Sequence, residues 1–129
     1  MKIAVGSDDK KTIRKGHFGE SKFYLIFEVL NGEIKTEELR ENPRDLEQNH
    51  HGKATDILEL LSDCGIFMGR SMGKKSMRKI ADKNIDCIIT TTEEIDQAVA
   101  NFLQGEEEGY QYFDADSGGL LPCSTRGTK

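Results

Sequence analysis

Apolar and polar positions change period along this chain, and the changes mark out the elements. Lys2 to Gly6 is a short apolar-rich run stopped by Ser7-Asp8-Asp9, which predicts a strand ended by turn formers. Phe23 to Leu30 is aromatic and β-branched almost throughout, the strongest strand signal present, and predicts a central or nearly central position. Asn31-Gly32 supplies two residues that tolerate positive φ, so a tight hairpin returns the chain as a third strand, Glu33 to Arg40, whose charges suit a sheet edge. Glu41-Asn42-Pro43 ends it, and Pro43 to His51 reads as polar loop.

From Gly52 the period becomes helical, with Ala54, Ile57, Leu58 and Leu61 on one face. Ile66-Phe67-Met68 predicts a buried strand. Lys74 to Lys83 predicts a helix with Met77, Ile80 and Ala81 inward, and Ile85 to Thr90 a further strand. A last helix is opened by Thr92, with Glu93 and Glu94 in the dipole-favoured first turn and Ile95, Ala98, Val99 and Phe102 at helical spacing.

The order β β β α β α β α implies a meander followed by two crossovers. Right-handed crossovers place the fourth and fifth strands parallel to the first. The expected architecture is α/β, a five-stranded mixed sheet of order 3-2-1-4-5 with three helices on its faces. Residues 1–105 make that domain. Residues 106–129, rich in Gly, Asp and Glu, read as an acidic tail of uncertain order. In this topology the loops after strands one, three, four and five share one edge, where open α/β sheets place ligands.

The loop after strand four, Gly69-Arg70-Ser71-Met72-Gly73-Lys74-Lys75-Ser76, runs directly into a helix. Glycines let backbone amides approach a ligand, and a helix N-terminus adds unpaired N–H groups, so an anion is favoured there. Arg70, Lys74, Lys75, Arg78 and Lys79 supply cations with no acid among them. The string is not a P-loop, because three residues rather than four separate its glycines and a second Lys precedes Ser76. The same pattern also describes an ordinary Gly-rich turn beside a solvated basic face, and the density of cations favours the anion site.

All three histidines fall in loops predicted to converge: His17, in Gly16-His17-Phe18-Gly19 after strand one, and His50 and His51 after strand three. They are candidate metal ligands, although the fixed tetrahedral zinc spacings are missing. Cys64 and Cys87 are predicted at the opposite ends of the strands and read as buried small hydrophobes, while Cys123 lies in the tail with its role open. Three cysteines without a Cys-x-x-Cys pair argue against a disulfide framework or a zinc knuckle.

The 129 residues suit one small domain, and the formal charge of −5 argues against a nucleic-acid partner. The N-terminus turns polar at once and no apolar run approaches a membrane span, so a cytoplasmic location without membrane association is expected. The acid excess is concentrated in the tail. The loop edge, with Lys10, Lys11, Arg14 and Lys15 beside the basic turn, is locally positive.

The assembled residues resemble the dinitrogenase iron-molybdenum cofactor biosynthesis family, nitrogenase accessory factor proteins of NifX type. The resemblance covers about residues 1–105. It is carried by the opening Lys-Ile-Ala-Val, His17-Phe18-Gly19 before an apolar strand, Asn31-Gly32-Glu33-Ile34, Glu41-Asn42-Pro43, His51-Gly52 before the first helix, the Gly69 to Gly73 turn and a closing helix ending near Gly105. It implies a ribonuclease H-like three-layer fold and a carrier of anionic metal-sulfur clusters, such as an iron-molybdenum cofactor precursor. It also implies cluster donor and acceptor proteins as partners, with the chain a monomer or weak homodimer.

Carried over residue by residue, the resemblance implies a pocket with His17 and His50 or His51 as metal ligands. Phe18, Gly19, Gly69, Arg70, Ser71, Gly73 and Lys74 would contact the cluster. The turn departs from the family in Arg70, Met72 and Lys75, which make it longer-armed and more basic, where Gly, Ile and Pro are usual. Nuclease chemistry, which such a fold also raises, needs several carboxylates holding two metals at the sheet centre, and strand one has none. No nucleophile-base pair is visible, so binding and transfer rather than catalysis is expected. Two other readings stand beside this one: a regulatory module for a small molecule or phosphate-bearing ligand, and an interaction module acting through the acidic tail.

Overall fold

The fold was analysed in a computed structural model that describes residues 1–42, 54–106 and 108–123. Strands β1 (Lys2–Ser7), β2 (Phe23–Leu30) and β3 (Glu33–Glu41) form the meander, followed by α1 (Ala54–Leu60), β4 (Ile66–Gly69), α2 (Lys74–Asp82), β5 (Asp86–Thr90) and α3 (Ile95–Leu103). Two further strands follow, β6 (Tyr110–Asp114) and β7 (Gly119–Pro122). Among the described residues the sheet has seven strands in the order β3-β2-β1-β4-β5-β6-β7. β1 pairs antiparallel with β2 and parallel with β4, and β4 pairs parallel with β5, as the two crossovers require. Asn31 and Gly32 both take positive φ at the first hairpin (54° and 80°).

Strand alternation assigns the layers. Ile3 and Val5 of β1 point into one core with Ile95, Ala98 and Val99 of α3, whereas Ala4 points into the other with Ile57 of α1 and Met77 and Ile80 of α2. The sheet is therefore sandwiched, with α1 and α2 on one face and α3 on the other. β3 is an edge strand with both faces largely exposed, and its alternating acids and bases discourage edge-to-edge pairing.

The five-strand expectation, and with it a tail of uncertain order, is corrected for residues 110–122. β6 pairs antiparallel with β5, and β7 with β6. The composition here is polar, but its few large side chains alternate: Tyr110 and Tyr112 join the α3 core and Phe113 joins the opposite one. Gly105, Gly109 and Gly118, all at positive φ, make the turns that bring this hairpin back. Without it, β5 would present an unpaired hydrophobic edge. Cys123 is thereby placed in the α3 core, 5% exposed. A smaller correction concerns α3, which begins at Ile95 after an extended Glu94; the Thr92 N–H instead bonds back to Thr90 Oγ1.

Candidate functional site

The predicted convergence is present for the loops after β1, β4 and β5 and is made by backbone hydrogen bonds, while the loop after β3 lies beyond Asn42 outside the described residues. After β1 the chain runs beside the loop preceding α3, where Ile13 N–H donates to Glu93 O at 2.8 Å and Ile95 N–H to Lys11 O at 3.0 Å. Further on, His17 forms a parallel bridge with Ser71 of the loop after β4, and Phe18 N–H donates to Ser71 O at 2.9 Å. The loops after β1, β4 and β5 are thus fastened to one another at the C-terminal ends of the parallel strands.

Phe18–Glu20 then forms a single 3-10 turn. Its anchor is the Phe18 carbonyl, which accepts from the buried hydroxyls of Tyr24 and Ser21, each at 2.8 Å. The Phe18 ring, 3% exposed, stacks on Phe67 at 5.2 Å and meets Tyr24 at 5.1 Å. Close approach is needed below it: a Cβ on Gly69 would come within 3.3 Å of that ring, and one on Gly6 would collide with Ser21 Oγ. Asn42, 2% exposed, closes the arrangement, its side-chain amide donating to Ser21 O at 2.8 Å and to Gly19 O at 3.4 Å.

Between this turn, α1 and the first turn of α2 lies a cavity of about 270 Å³ lined by His17, Phe18, Gly19, Glu20, Ile57, Met72, Gly73, Ser76 and Ile80. Its floor is apolar, from Phe18, Ile57 and Ile80. Its polar groups are the His17 ring, the Ser76 hydroxyl, the Glu20 carboxylate and the opening of α2. Gly73 caps α2 without a side-chain hydrogen bond, and the first intrahelical bond runs from Met77 N–H to Gly73 O. The N–H groups before Met77 therefore lie ahead of the helix's own ladder and favour negative charge. Glu20 opposes an anion, and Arg14, 3.6 Å from its carboxylate, is shared with Asp8 and offsets that charge only in part.

Of the residues singled out in the sequence, His17, Phe18, Gly19 and Gly73 line this one cavity. Gly69 and Ser71 support it from behind, through the Phe18 ring and backbone. Arg70 and Lys74 are placed elsewhere. Arg70 lies in a separate open cleft with Lys11, Arg14 and Glu93, and its guanidinium is 3.9 Å from the Glu93 carboxylate. Lys74 lies on the opposite side of α2. His50 and His51 lie outside the described residues. Among the described residues no group of three His, Cys, Asp or Glu side chains is placed to hold a metal ion.

Sequence reasoning missed Tyr24, Ser21 and Asn42 as positioning residues. Asn42 carried a signal, being a polar residue directly before Pro43 at the end of a strand; the two hydroxyls carried none, because their common acceptor is a backbone oxygen. None of the cysteines lines the cavity. All three are buried, and burial pushes the thiols of Cys64 and Cys87 up to about 12. No described helix is long and apolar enough to cross a membrane.

Comparison with known proteins agrees with this architecture. A family model described as dinitrogenase iron-molybdenum cofactor matches residues 1–105. MJ0580 of Methanocaldococcus jannaschii is 30% identical over 113 residues, covering 86% of this chain and 92% of that protein. The crystal structure of PH0822 superposes with a TM-score of 0.68 at 20% identity, over 82% of this chain and 93% of that one. The apo form of the orange protein from Desulfovibrio gigas gives a TM-score of 0.65 at 18% identity, over 81% and 88%. At these identities the two structures speak to the fold alone.

Proposed function

We propose that this chain, which belongs to the dinitrogenase iron-molybdenum cofactor family, carries an anionic metal-sulfur cluster, of the kind that precedes the iron-molybdenum cofactor, in the cavity between the 3-10 turn, α1 and α2. The observation that supports this reading is the meeting of His17, Met72 and the open first turn of α2 around one cavity of about 270 Å³. That volume lies just under the range typical of drug-sized ligands and suits a compact cargo. The imidazole and the thioether are ligand types that softer metals accept, and the α2 amides with the Ser76 hydroxyl can donate to the cluster's anionic atoms. The apolar floor excludes water, which strengthens those interactions and shields a reduced cluster.

A holding site of this composition binds and releases; it is not built for turnover. One imidazole and a set of hydrogen bonds retain a cluster less firmly than a full thiolate set would, which suits handing it from a donor protein to an acceptor. The ribonuclease H-like reading of the fold adds no chemistry here, since β1 carries no carboxylate.

Anaerobic incubation with iron, sulfide and molybdate, followed by absorption spectroscopy and metal analysis, tests the proposal. Wild-type protein is expected to take up visible charge-transfer absorption and stoichiometric metal, and His17→Ala to take up much less. The apolar floor also fits a small phosphate-bearing organic ligand. No cluster absorption, together with tight nucleotide binding that His17→Ala weakens, would overturn the carrier reading in favour of a regulatory module.

A further inference from the structure

Helix α2 separates two surfaces of different character. Gly73, Ser76 and Ile80 close the cavity, whereas Lys74, Lys75, Arg78 and Lys79 line a groove of about 390 Å³ on the other side, together with Phe113 of β6 and Gly118 of the β6–β7 hairpin. Four cations and no carboxylate line this groove, in a chain whose net charge is −5. Arg78 is already positioned: its guanidinium donates to Ala115 O at 2.9 Å and lies 5.4 Å from the Phe113 ring centroid. Among the described residues Lys74, Lys75 and Lys79 have no carboxylate at ion-pair distance. The nearest acids along the chain do not line the groove: Asp82 ends α2, and Asp114 and Asp116 belong to the hairpin, where the Asp114 carboxylate accepts the Ser117 N–H. Lys74 with Arg78 and Lys75 with Lys79 are like-charge pairs four residues apart, an arrangement that destabilises an isolated helix and that an incoming anion would relieve.

We propose that this groove docks an extended acidic segment of a partner protein, with carboxylates at alternate residues. A helix rises 1.5 Å per residue, so the Lys74/Lys75 and Arg78/Lys79 pairs are about 6 Å apart along α2. Alternate residues of an extended chain are spaced about 6.6 to 6.8 Å and point the same way, which matches that repeat. Phe113 gives such a segment an apolar floor to rest on. An isolated phosphate is served less well, since the cations are strung along a helix and do not converge on one point. Extended nucleic acid, charged along its whole length, would run past the groove onto a chain of net charge −5, whereas a short acidic segment need meet only the groove's cations. The groove lies across α2 from the cavity and shares no lining residue with it. Its recognition depends on neither the cavity nor its cargo.

The test is fluorescence anisotropy of the full chain with a fluorescein-labelled ten-residue peptide of alternating Glu and Gly, at low salt. Saturable binding is expected, falling as salt rises. Lys75→Glu with Lys79→Glu removes two exposed charge pairs and sets two like charges against the peptide, so binding is expected to weaken by about tenfold. Lys75→Gln with Lys79→Gln should give an intermediate loss, and His17→Ala none. Unchanged binding in the charge-reversed protein with its thermal unfolding intact would overturn the proposal. So would a single-stranded ten-nucleotide DNA binding more tightly than the peptide, or inorganic phosphate displacing the peptide at micromolar concentration.

Discussion

Removing one hydroxyl from the Tyr24 side chain tests whether the 3-10 turn at the cavity is held as the structure indicates. Tyr24 is fully buried and its phenol donates to Phe18 O at 2.8 Å. Tyr24→Phe leaves the ring in place against Phe18 and leaves the carbonyl with the Ser21 hydroxyl, so no acceptor is stranded. The expected cost is then that of one buried hydrogen bond, about 1 kcal/mol. For a chain of this size that corresponds to a fall in Tm of about 3 to 6 °C. Tyr110→Phe is the matched control, because it removes an equally buried phenol bond, to Ala98 O at 2.6 Å, in the α3 core on the far face of the sheet. Urea denaturation should show a lowered midpoint and an unchanged slope for both variants. Anaerobic cluster loading should fall for Tyr24→Phe alone. Equal loading by the two variants, or no stability loss in Tyr24→Phe, would refute the claim that this hydrogen bond fixes the turn and with it the cavity.

Other outcomes follow from groups outside the cavity. Asp63 accepts a two-pronged contact from Arg40 at 2.7 Å, which with Lys2 holds its carboxyl well below the ordinary value of 3.8. A depressed carboxyl stabilises the fold above the unfolded-state value and loses that contribution as pH falls through the folded one. Acid unfolding of wild type should therefore steepen below about pH 4, and Asp63→Asn should be less stable at pH 7 with a flatter acid limb. At neutral pH the three buried thiols should react negligibly with a disulfide reagent in the native state and together once denaturant is added; a fast native phase would contradict their burial. Truncation after Gly105 removes β6, β7 and the core side chains Tyr110, Phe113 and Cys123, and should yield an aggregating or unfolded product, as judged by solubility and near-ultraviolet dichroism.

Much of this architecture was legible because the central strands are short apolar runs and the helices α2 and α3 each bury one face, and burial writes its pattern into the residues; β3, exposed on both faces, was legible from the Asn31-Gly32 turn before it instead. The last hairpin was hidden by its composition. Asp, Gly and Gln around Tyr110, Tyr112 and Phe113 lower the mean hydropathy, although the alternation itself survives. Loop convergence was legible from strand order and the hand of the crossovers. The division of labour on α2 was not drawn from the sequence, although helical phase contains it. At 100° per residue Gly73, Ser76 and Ile80 share one side and Lys74, Lys75, Arg78 and Lys79 fall around the others, so the basic string was never a single site. The cleft that Arg70 lines was not legible for a different reason. The direction of a loop side chain depends on its neighbours, here Glu93 from the loop before α3, and no spacing rule reports that.

The central claim, that the cavity beside His17 carries a metal-sulfur cluster, is tested most directly by elemental and sulfide analysis of the protein purified without oxygen from its native cell. The account predicts iron and sulfide, with or without molybdenum, in constant ratio to the chain and lost in the His17→Ala protein. Metal-free protein carrying an organic phosphate in the same cavity would contradict it.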